Sequence, residues 1–166
     1  MLRVSAAQEL TDDLLRAVRR LVPQLSGTAR EPTGAEVEEV VKSQATTLLV
    51  ARDDDDSLSA LAGPGGPEAD AENPGGAIVG MLTLVTFRLP TGVRAWIEDV
   101  VVDTAARGRG VGEALTQAAL ELASARGAKT VDLTSRPSRE AANRLYQRVG
   151  FELRQTNAYR YRLGSG

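Results

Sequence analysis

The chain has 166 residues, 42% hydrophobic and 25% charged, a composition typical of one soluble globular domain. Its net charge is −2, and it contains neither Cys nor His. This absence excludes thiol nucleophiles, disulfides, Cys/His zinc sites and a Ser-His triad. No apolar run reaches the roughly 18 residues of a membrane span, and the first residues, MLRVS, lack the apolar core of a secretory signal. We therefore expect a cytoplasmic protein that binds no membrane and no metal.

The charges are unevenly distributed along the chain. Residues 53–76 hold seven acidic side chains and no basic one, whereas residues 88–166 hold 13 basic and 8 acidic side chains. The excess of five positive charges favours an anionic ligand but is small for a nucleic-acid-binding protein, so we expect no nucleic acid as partner. Because the acidic segment is rich in Pro and Gly, we predict a mobile surface loop between two strands. A regulatory or partner-binding segment is the alternative.

The first half of the chain predicts a strand, two helices and a hairpin. A short strand at 2–4 precedes a helix that begins at Thr11, has an apolar face and ends or kinks at Pro23. The elements that follow are a helix at 33–43 and strands at 46–51 and 77–88. The two strands flank the acidic segment, so we expect them to pair antiparallel.

The second half alternates strands and helices. The predicted order is strand 93–103, Gly-rich loop 107–112, helix 112–126, strand 129–135, helix 138–149 and strands near 151–154 and 158–163. A helical crossover of this length makes its two flanking strands parallel. The elements predict a single α/β (α+β) domain over residues 1–163, with a mixed, mostly antiparallel sheet, helices on both faces and a flexible tail at 164–166.

The Gly-rich loop is the most informative segment. Glycines let the backbone approach a ligand closely, and a helix N-terminus with two arginines adds positive charge, a combination suited to a diphosphate. No Walker A string occurs, and the G-x-G-x-x-G pattern fails because Glu113 stands at its third glycine. The Arg/Gln-x-x-Gly-x-Gly/Ala pattern fits. The predicted diphosphate contacts are Arg107, Gly108, Arg109, Gly110, Val111 and Gly112.

Three segments in order resemble the GNAT (GCN5-related N-acetyltransferase) superfamily. They are WIEDVVV at 96–102, RGRGVG at 107–112 and NRLYQRVGF at 143–151, and the order of elements is also similar over nearly the whole chain. The resemblance implies a bacterial-type enzyme that moves an acetyl group from acetyl-CoA to the primary amine of a small molecule. It also implies a central parallel strand pair that splays apart to admit acetyl-CoA. A peptide or protein acceptor, a non-catalytic acyl-CoA-binding regulatory module and a homodimer stay open.

The resemblance also implies roles for individual residues. Glu98 and Asp99 are alternative bases for the acceptor ammonium, and they point to opposite faces of a strand unless a bulge intervenes. Tyr146 would touch the cofactor and protonate the departing thiolate. The backbone of the strand would bind the pantetheine arm at Val100, Val101 and Val102.

Two further expectations concern the ligands. The family often has Asn seven residues before the Tyr, where this chain has Arg139, so Arg139 and Asn143 are both candidates for contacts with coenzyme A. The acceptor is expected between residues 24–34 and 154–161, whose mixed charges do not select one amine.

Overall fold

The computed structural model describes residues 1–61 and 75–164. The chain forms two compact units, Met1–Thr134 and Ser135–Gly166. The strands are β1 (Leu2–Ala6), β2 (Thr46–Asp53), β3 (Ala77–Leu89), β4 (Gly92–Val102) and β5 (Ala128–Leu133). The helices are α1 (Asp12–Leu25), α2 (Gly34–Lys42), α3 (Val111–Ala125) and α4 (Glu140–Val149).

The first unit contains one sheet with the strand order β1-β2-β3-β4-β5. Neighbouring strands from β1 to β4 pair antiparallel, and β5 pairs parallel with β4. The predicted mixed sheet is therefore confirmed. Helix α3 forms the crossover between the two parallel strands. The register of that pair ends at Ile97 and Leu133, so residues 98–102 extend beyond the end of β5.

Helices α1 and α2 begin where the sequence predicts. Thr11 caps α1 by accepting a hydrogen bond from the Leu14 N–H at 3.1 Å, and Thr33 and Glu36 form a capping box at α2. Helix α1 continues past Pro23 to Leu25. Pro23 lacks an N–H and so removes one backbone hydrogen bond. The last turn still forms, because the Ser26 N–H donates to the Val22 carbonyl at 3.1 Å.

Helices cover both faces of the sheet. Met81 of β3 packs into the core with Leu14, Leu21 and other residues of α1. Its neighbour Gly80 faces α3, because a Cβ there would lie 2.9 Å from the Val111 Cγ1 atom. Adjacent strand residues point to opposite faces, so α1 and α3 lie on opposite sides, as predicted.

Two sequence predictions differ from the structure. Residues 151–164 form neither helix nor strand, so the strands predicted near 151–154 and 158–163 are absent. Apolar alternation is not sufficient for a strand, which also needs a hydrogen-bonded neighbour. The segment at 53–76, predicted as a loop without regular structure, also contains such structure at its start: β2 includes Asp53, and a 3₁₀ helix spans Asp56–Leu61 with Leu58 buried.

The remainder of the acidic segment, residues 62–74, lies outside the described residues, and so do residues 165–166 of the predicted tail. Within the described ranges, no helix is long and apolar enough to cross a membrane.

Candidate active site

Strand β4 contains a bulge at the candidate bases. The register with β3 shifts here, so that Asp99 and Val100 stand opposite the single residue Leu82. Asp99 has φ = 51°, the one non-glycine residue with positive φ among those described. Residues other than glycine rarely adopt this backbone conformation. Asp99 therefore marks a strained position of the backbone that its surroundings hold in place. The bulge also removes the strict alternation that would separate Glu98 from Asp99.

The two carboxylates have different environments. The indole Nε1–H of Trp96 donates a hydrogen bond of 2.8 Å to the Glu98 Oε1 atom. Burial raises the pKa of Asp99, and the negative charge of Glu98 raises it further. A carboxylate whose pKa is raised binds a proton more tightly than an ordinary Asp does, which favours Asp99 as a proton acceptor.

An open strip of the sheet surrounds these carboxylates. Glu98 pairs with Thr83 and Trp96 with Val85, so all four side chains lie on one face. Thr83 and Met81 are two residues apart on β3, so their side chains point to the same face. This is the face on which α1 packs against Met81. At the far end of the same face, Phe87 is 37% exposed. The strip combines apolar contact area with negative charge, which suits an amine with an apolar body.

The backbone of residues 100–102 offers hydrogen-bonding groups beyond the end of β5. Val101 is buried in the core of α1 and α2, and Val100 and Val102 are half-buried. Their side chains fix the strand, while the edge that faces away from β3 has no β5 residue paired with it. An extended ligand with amide groups can add to such an edge as a strand does.

The Gly-rich loop presents an open cradle. Gly108 and Gly110 have φ of 77° and 79°, and a Cβ on either would meet nothing within 4 Å. Helix α3 begins at Val111, and no side chain caps its first turn at Gly110. Its first N–H groups therefore remain available to an anion at the positive end of the helix dipole. Gly112 belongs to this first turn, and its carbonyl accepts a 2.7 Å bond from the Thr116 hydroxyl.

A network of hydrogen bonds ties the segment that precedes this loop to α1. The Asp103 carboxylate accepts bonds from Arg20 at 2.9 Å and from Gln24 at 3.2 Å, and it caps the Ala105 N–H at 3.0 Å. The Gln24 oxygen in turn accepts from the Thr104 N–H at 2.9 Å. Burial alone would raise the pKa of Asp103, but the bonds from Ala105, Arg20 and Gln24 together lower it below its ordinary value. The carboxylate thus stays charged.

Arg109 ties the middle of the loop to the segment after β2. Its guanidinium forms an ion pair with Asp55 at 2.7 Å and a longer one with Asp53 at 3.6 Å. Within the described residues, the Arg107 side chain forms no hydrogen bond or ion pair, so the two arginines of the loop differ. The sequence pattern predicts the same role for both.

The second unit carries the remaining candidates on and before α4. The Asn143 amide donates to the carbonyls of Arg136 at 3.0 Å and Pro137 at 3.5 Å, so it stabilises the turn before the helix. Tyr146 contacts Phe151 edge to face, with ring centroids 5.8 Å apart. Burial raises the pKa of Tyr146 and the charge of Arg139 opposes that rise. The phenol therefore keeps its proton at neutral pH, as a general acid must.

The charges of the predicted acceptor loop at 24–34 pair with the two flanking helices. Arg30 pairs with Glu36, and Glu31 pairs with Arg19 at 3.0 Å. The hydrogen bonds from Arg30 and Thr33 hold the pKa of Glu36 at about 2. In the second unit, Arg154, Asn157, Tyr159 and Arg160 lie in the irregular segment after α4.

Several residues of the site were not predicted. The contact between Arg20 and Asp103 joins residues 83 positions apart, and that between Arg109 and Asp55 joins residues 54 apart. No local pattern indicates such pairs. The hydrogen bond from Trp96 to Glu98 could have been predicted from the sequence, because residues two apart lie on the same face of a strand.

Comparisons with known proteins concern the family and the fold. A sequence profile of the acetyltransferase (GNAT) family matches residues 32–151, and no curated protein matches the chain. The crystal structure of a transcriptional regulator from Bacillus halodurans C-125 is 26% identical, with a TM-score of 0.70 over 98% of this chain and 100% of that one.

Two more distant solved structures share the fold. An aminoglycoside acetyltransferase from an uncultured soil metagenomic sample, in complex with sisomicin, is 18% identical, with a TM-score of 0.73 over 98% of this chain and 97% of that one. A ribosomal-protein-alanine N-acetyltransferase from Brucella melitensis biovar Abortus 2308 is 19% identical, with a TM-score of 0.71 over 99% and 100%.

Proposed function

Because the chain belongs to the GNAT family of acetyltransferases, we propose that it moves an acetyl group from acetyl-CoA to the primary amine of a small molecule. Transfer is by direct attack within a ternary complex. The observation that carries this proposal is the position of two carboxylates at a bulge where β4 extends beyond β5. The open Gly-rich loop follows in the same unit.

The residues of the first unit supply the proposed cofactor site. The N–H groups of residues 108–112 bind the diphosphate, with Arg107 as the added positive charge. The backbone of residues 100–102 pairs with the amides of the pantetheine arm. When bound, acetyl-CoA supplies the activated acetyl group as a thioester.

The proposed chemistry begins with a proton. A free alkylammonium has a pKa of about 10.4, so only about one acceptor in a thousand is a neutral amine at pH 7. Asp99 removes this proton, and Glu98, held by Trp96, binds and orients the ammonium before transfer. The neutral nitrogen then attacks the thioester carbonyl, and the backbone N–H of Val100 or Val101 stabilises the charge that develops on the oxygen. The C–S bond breaks, and Tyr146 donates its proton to the thiolate. The nitrogen loses its second proton, through solvent, to the Tyr146 phenolate, and Asp99 releases the first proton to solvent.

Two other functions have support. A protein or peptide acceptor is consistent with the likeness to the Brucella enzyme. A non-catalytic acyl-CoA-binding regulatory module is favoured by the likeness to the Bacillus halodurans regulator. Its sequence identity to this chain is the highest of the three structures described above.

Thiol release from acetyl-CoA across a panel of amines separates these functions. The panel contains an aminoglycoside, a diamine, free amino acids and a peptide with N-terminal alanine. Turnover that depends on a small amine supports the proposal, and turnover with the peptide alone supports a protein acceptor. Calorimetric binding of acetyl-CoA with no turnover on any amine supports the regulatory module.

A pair of glycine variants tests the cofactor site. Gly110→Ala places a Cβ where the diphosphate meets the backbone and strains a residue at φ = 79°. Gly127→Ala is the matched control, because Gly127 has φ = 76° and similar open space but lies beyond the end of α3. Both variants should lose about 1 kcal/mol of stability, and only Gly110→Ala should weaken acetyl-CoA binding. Equal acetyl-CoA affinity of the two variants would show that the diphosphate does not bind to this loop.

A further inference from the structure

The β2–β3 hairpin and the Gly-rich loop leave the sheet at the same end. Asp53, the last residue of β2, pairs with Ala77 at the start of β3. Three residues further along β3, Gly80 pairs with Val102, the last residue of β4. The acidic run that follows β2 therefore lies beside the loop that follows β4, and this position explains the ion pairs of Arg109 with Asp53 and Asp55.

Asp55 is fixed independently of Arg109. Its carboxylate accepts hydrogen bonds from the Ser57 N–H at 2.9 Å and from the Ser57 hydroxyl, and its carbonyl accepts from the Leu58 N–H at 2.9 Å. The buried side chain of Leu58 anchors this turn in the first unit. The bonds from Ser57 and then from Arg109 hold the pKa of Asp55 at about 2, so the carboxylate is charged at physiological pH. Arg109 thus meets a pre-formed anionic partner.

The Gly-rich loop is tied to other elements at two points. The network at Asp103 ties the segment that precedes it to α1, and Arg109 ties its middle to the turn after β2. Gly108 and Gly110 flank Arg109, and their conformational freedom makes an untethered loop costly to order. A loop held in its binding conformation before the ligand arrives binds more tightly, because less ordering remains to be done.

We infer that Asp55 is a positioning residue for the cofactor: through Arg109, it holds the Gly-rich loop in the form that receives the diphosphate. This inference rests on the proposed use of acetyl-CoA. It assigns Arg109 to the loop's conformation, whereas Arg107 is left to bind phosphate. It also gives the first residues of the acidic segment a role in cofactor affinity.

The test uses Asp55→Asn in the full chain. An Asn side chain keeps the oxygen that accepts from Ser57, so the turn is retained and only the ion pair is lost. Asp54→Asn is the matched control, because Asp54 pairs with Arg3 at 3.1 Å and with the N-terminal amine, not with Arg109. We expect calorimetry to show about threefold to tenfold weaker acetyl-CoA binding for Asp55→Asn, the range of an exposed ion pair with some added ordering. Asp54→Asn should bind as the wild type does.

A double-mutant cycle with Arg109→Gln completes the test. Arg109→Gln also removes the longer ion pair with Asp53. If Arg109 acts through Asp55, Asp55→Asn weakens binding and the double variant binds no more weakly than Arg109→Gln alone. The KM for acetyl-CoA rises accordingly while kcat at saturation is retained, and Asp55→Glu restores most of the affinity. These results support the inference.

Three outcomes would overturn it. Tighter binding by Asp55→Asn means that the carboxylate competes with the diphosphate for Arg109. Unchanged binding by Asp55→Asn with weaker binding by Arg109→Gln, or losses that add in the double variant, means that Arg109 contacts the cofactor directly. If the wild type does not bind acetyl-CoA, the proposed function itself is wrong, and the inference fails with it.

Discussion

Glu98 and Asp99 are neighbours in sequence with separable roles. Glu98 is held by the Trp96 indole, and Asp99 sits at the strained position of the bulge with its pKa raised by burial and by Glu98. We expect Asp99→Asn to lower kcat by about 10²-fold or more, the usual cost of losing a general base. Glu98→Gln should instead raise the KM for the amine.

The pH dependence gives this prediction a second readout. The negative charge of Glu98 raises the pKa of Asp99, so Glu98→Gln should shift the acid limb of the kcat/KM profile to lower pH. The opposite pattern, in which Glu98→Gln abolishes turnover and Asp99→Asn keeps it, would make Glu98 the base. Profiles of kcat/KM from pH 4 to 9 decide between them.

Tyr146 is predicted to act as the general acid. Tyr146→Phe keeps the edge-to-face contact with Phe151 and removes only the proton. Turnover should fall by roughly 10²-fold, while acetyl-CoA affinity and the melting temperature change little. The loss should be smaller with an acyl donor whose thiol is a better leaving group. Near-wild-type turnover with chemistry rate-limiting would leave Tyr146 as a packing residue.

At the scale of the elements, Asp103 joins α1 to the loop after β4. Asp103→Asn should cost about 1–3 kcal/mol at pH 7, because the Arg20 guanidinium loses its charged acceptor. The hydrogen bonds of Asp103 lower its pKa in the folded state, so its contribution is present above the pKa of the unfolded chain and is lost as the pH falls through the folded value. The difference from wild type in urea unfolding should therefore be constant from pH 8 to about 5 and shrink below about pH 4. Glu121→Gln, which changes an exposed carboxylate on α3, should show no such difference.

The 3₁₀ helix after β2 contributes to stability through one side chain. Leu58 is 4% exposed, so Leu58→Ala should lower the free energy of unfolding by about 2–4 kcal/mol. Leu153→Ala is the control, because Leu153 is 91% exposed and its loss should change stability by less than about 0.5 kcal/mol. Equal stability of the two variants would show that the 3₁₀ helix does not pack on the fold.

At the scale of the whole molecule, charge is divided between the two units. Residues 1–134 hold 13 basic and 20 acidic side chains, and residues 135–166 hold 7 and 2. A cofactor with three phosphate groups should gain from the arginines of the Gly-rich loop, so raising NaCl from 50 to 500 mM should weaken acetyl-CoA binding by about threefold to tenfold. Acetyl-pantetheine, which lacks the diphosphate, should bind with little salt dependence. A similar slope for both ligands would exclude charge as the cause.

The sequence alone predicts most of the elements and the family. Caps at Thr11 and Thr33, the period of apolar residues and the Gly-rich motif are local properties, determined by residues within one or two turns of each other. They locate α1 to α4, β1 to β5 and the loop at 107–112 to within a few residues. The family is also predicted from the sequence, because each of the three motifs that indicate it is a short, local pattern.

Only the tertiary structure decides how these parts act on one another. The contact of Arg109 with Asp55 and the bulge at Asp99 depend on the register between strands. The network of Asp103 depends on the packing of α1 against the sheet, which brings residues 83 positions apart into contact. Segment 151–164 gives the converse case: its alternating residues favour strands, but no strand forms there. Strand formation and long-range ion pairs each need a partner from elsewhere in the chain, and local sequence does not specify where that partner lies.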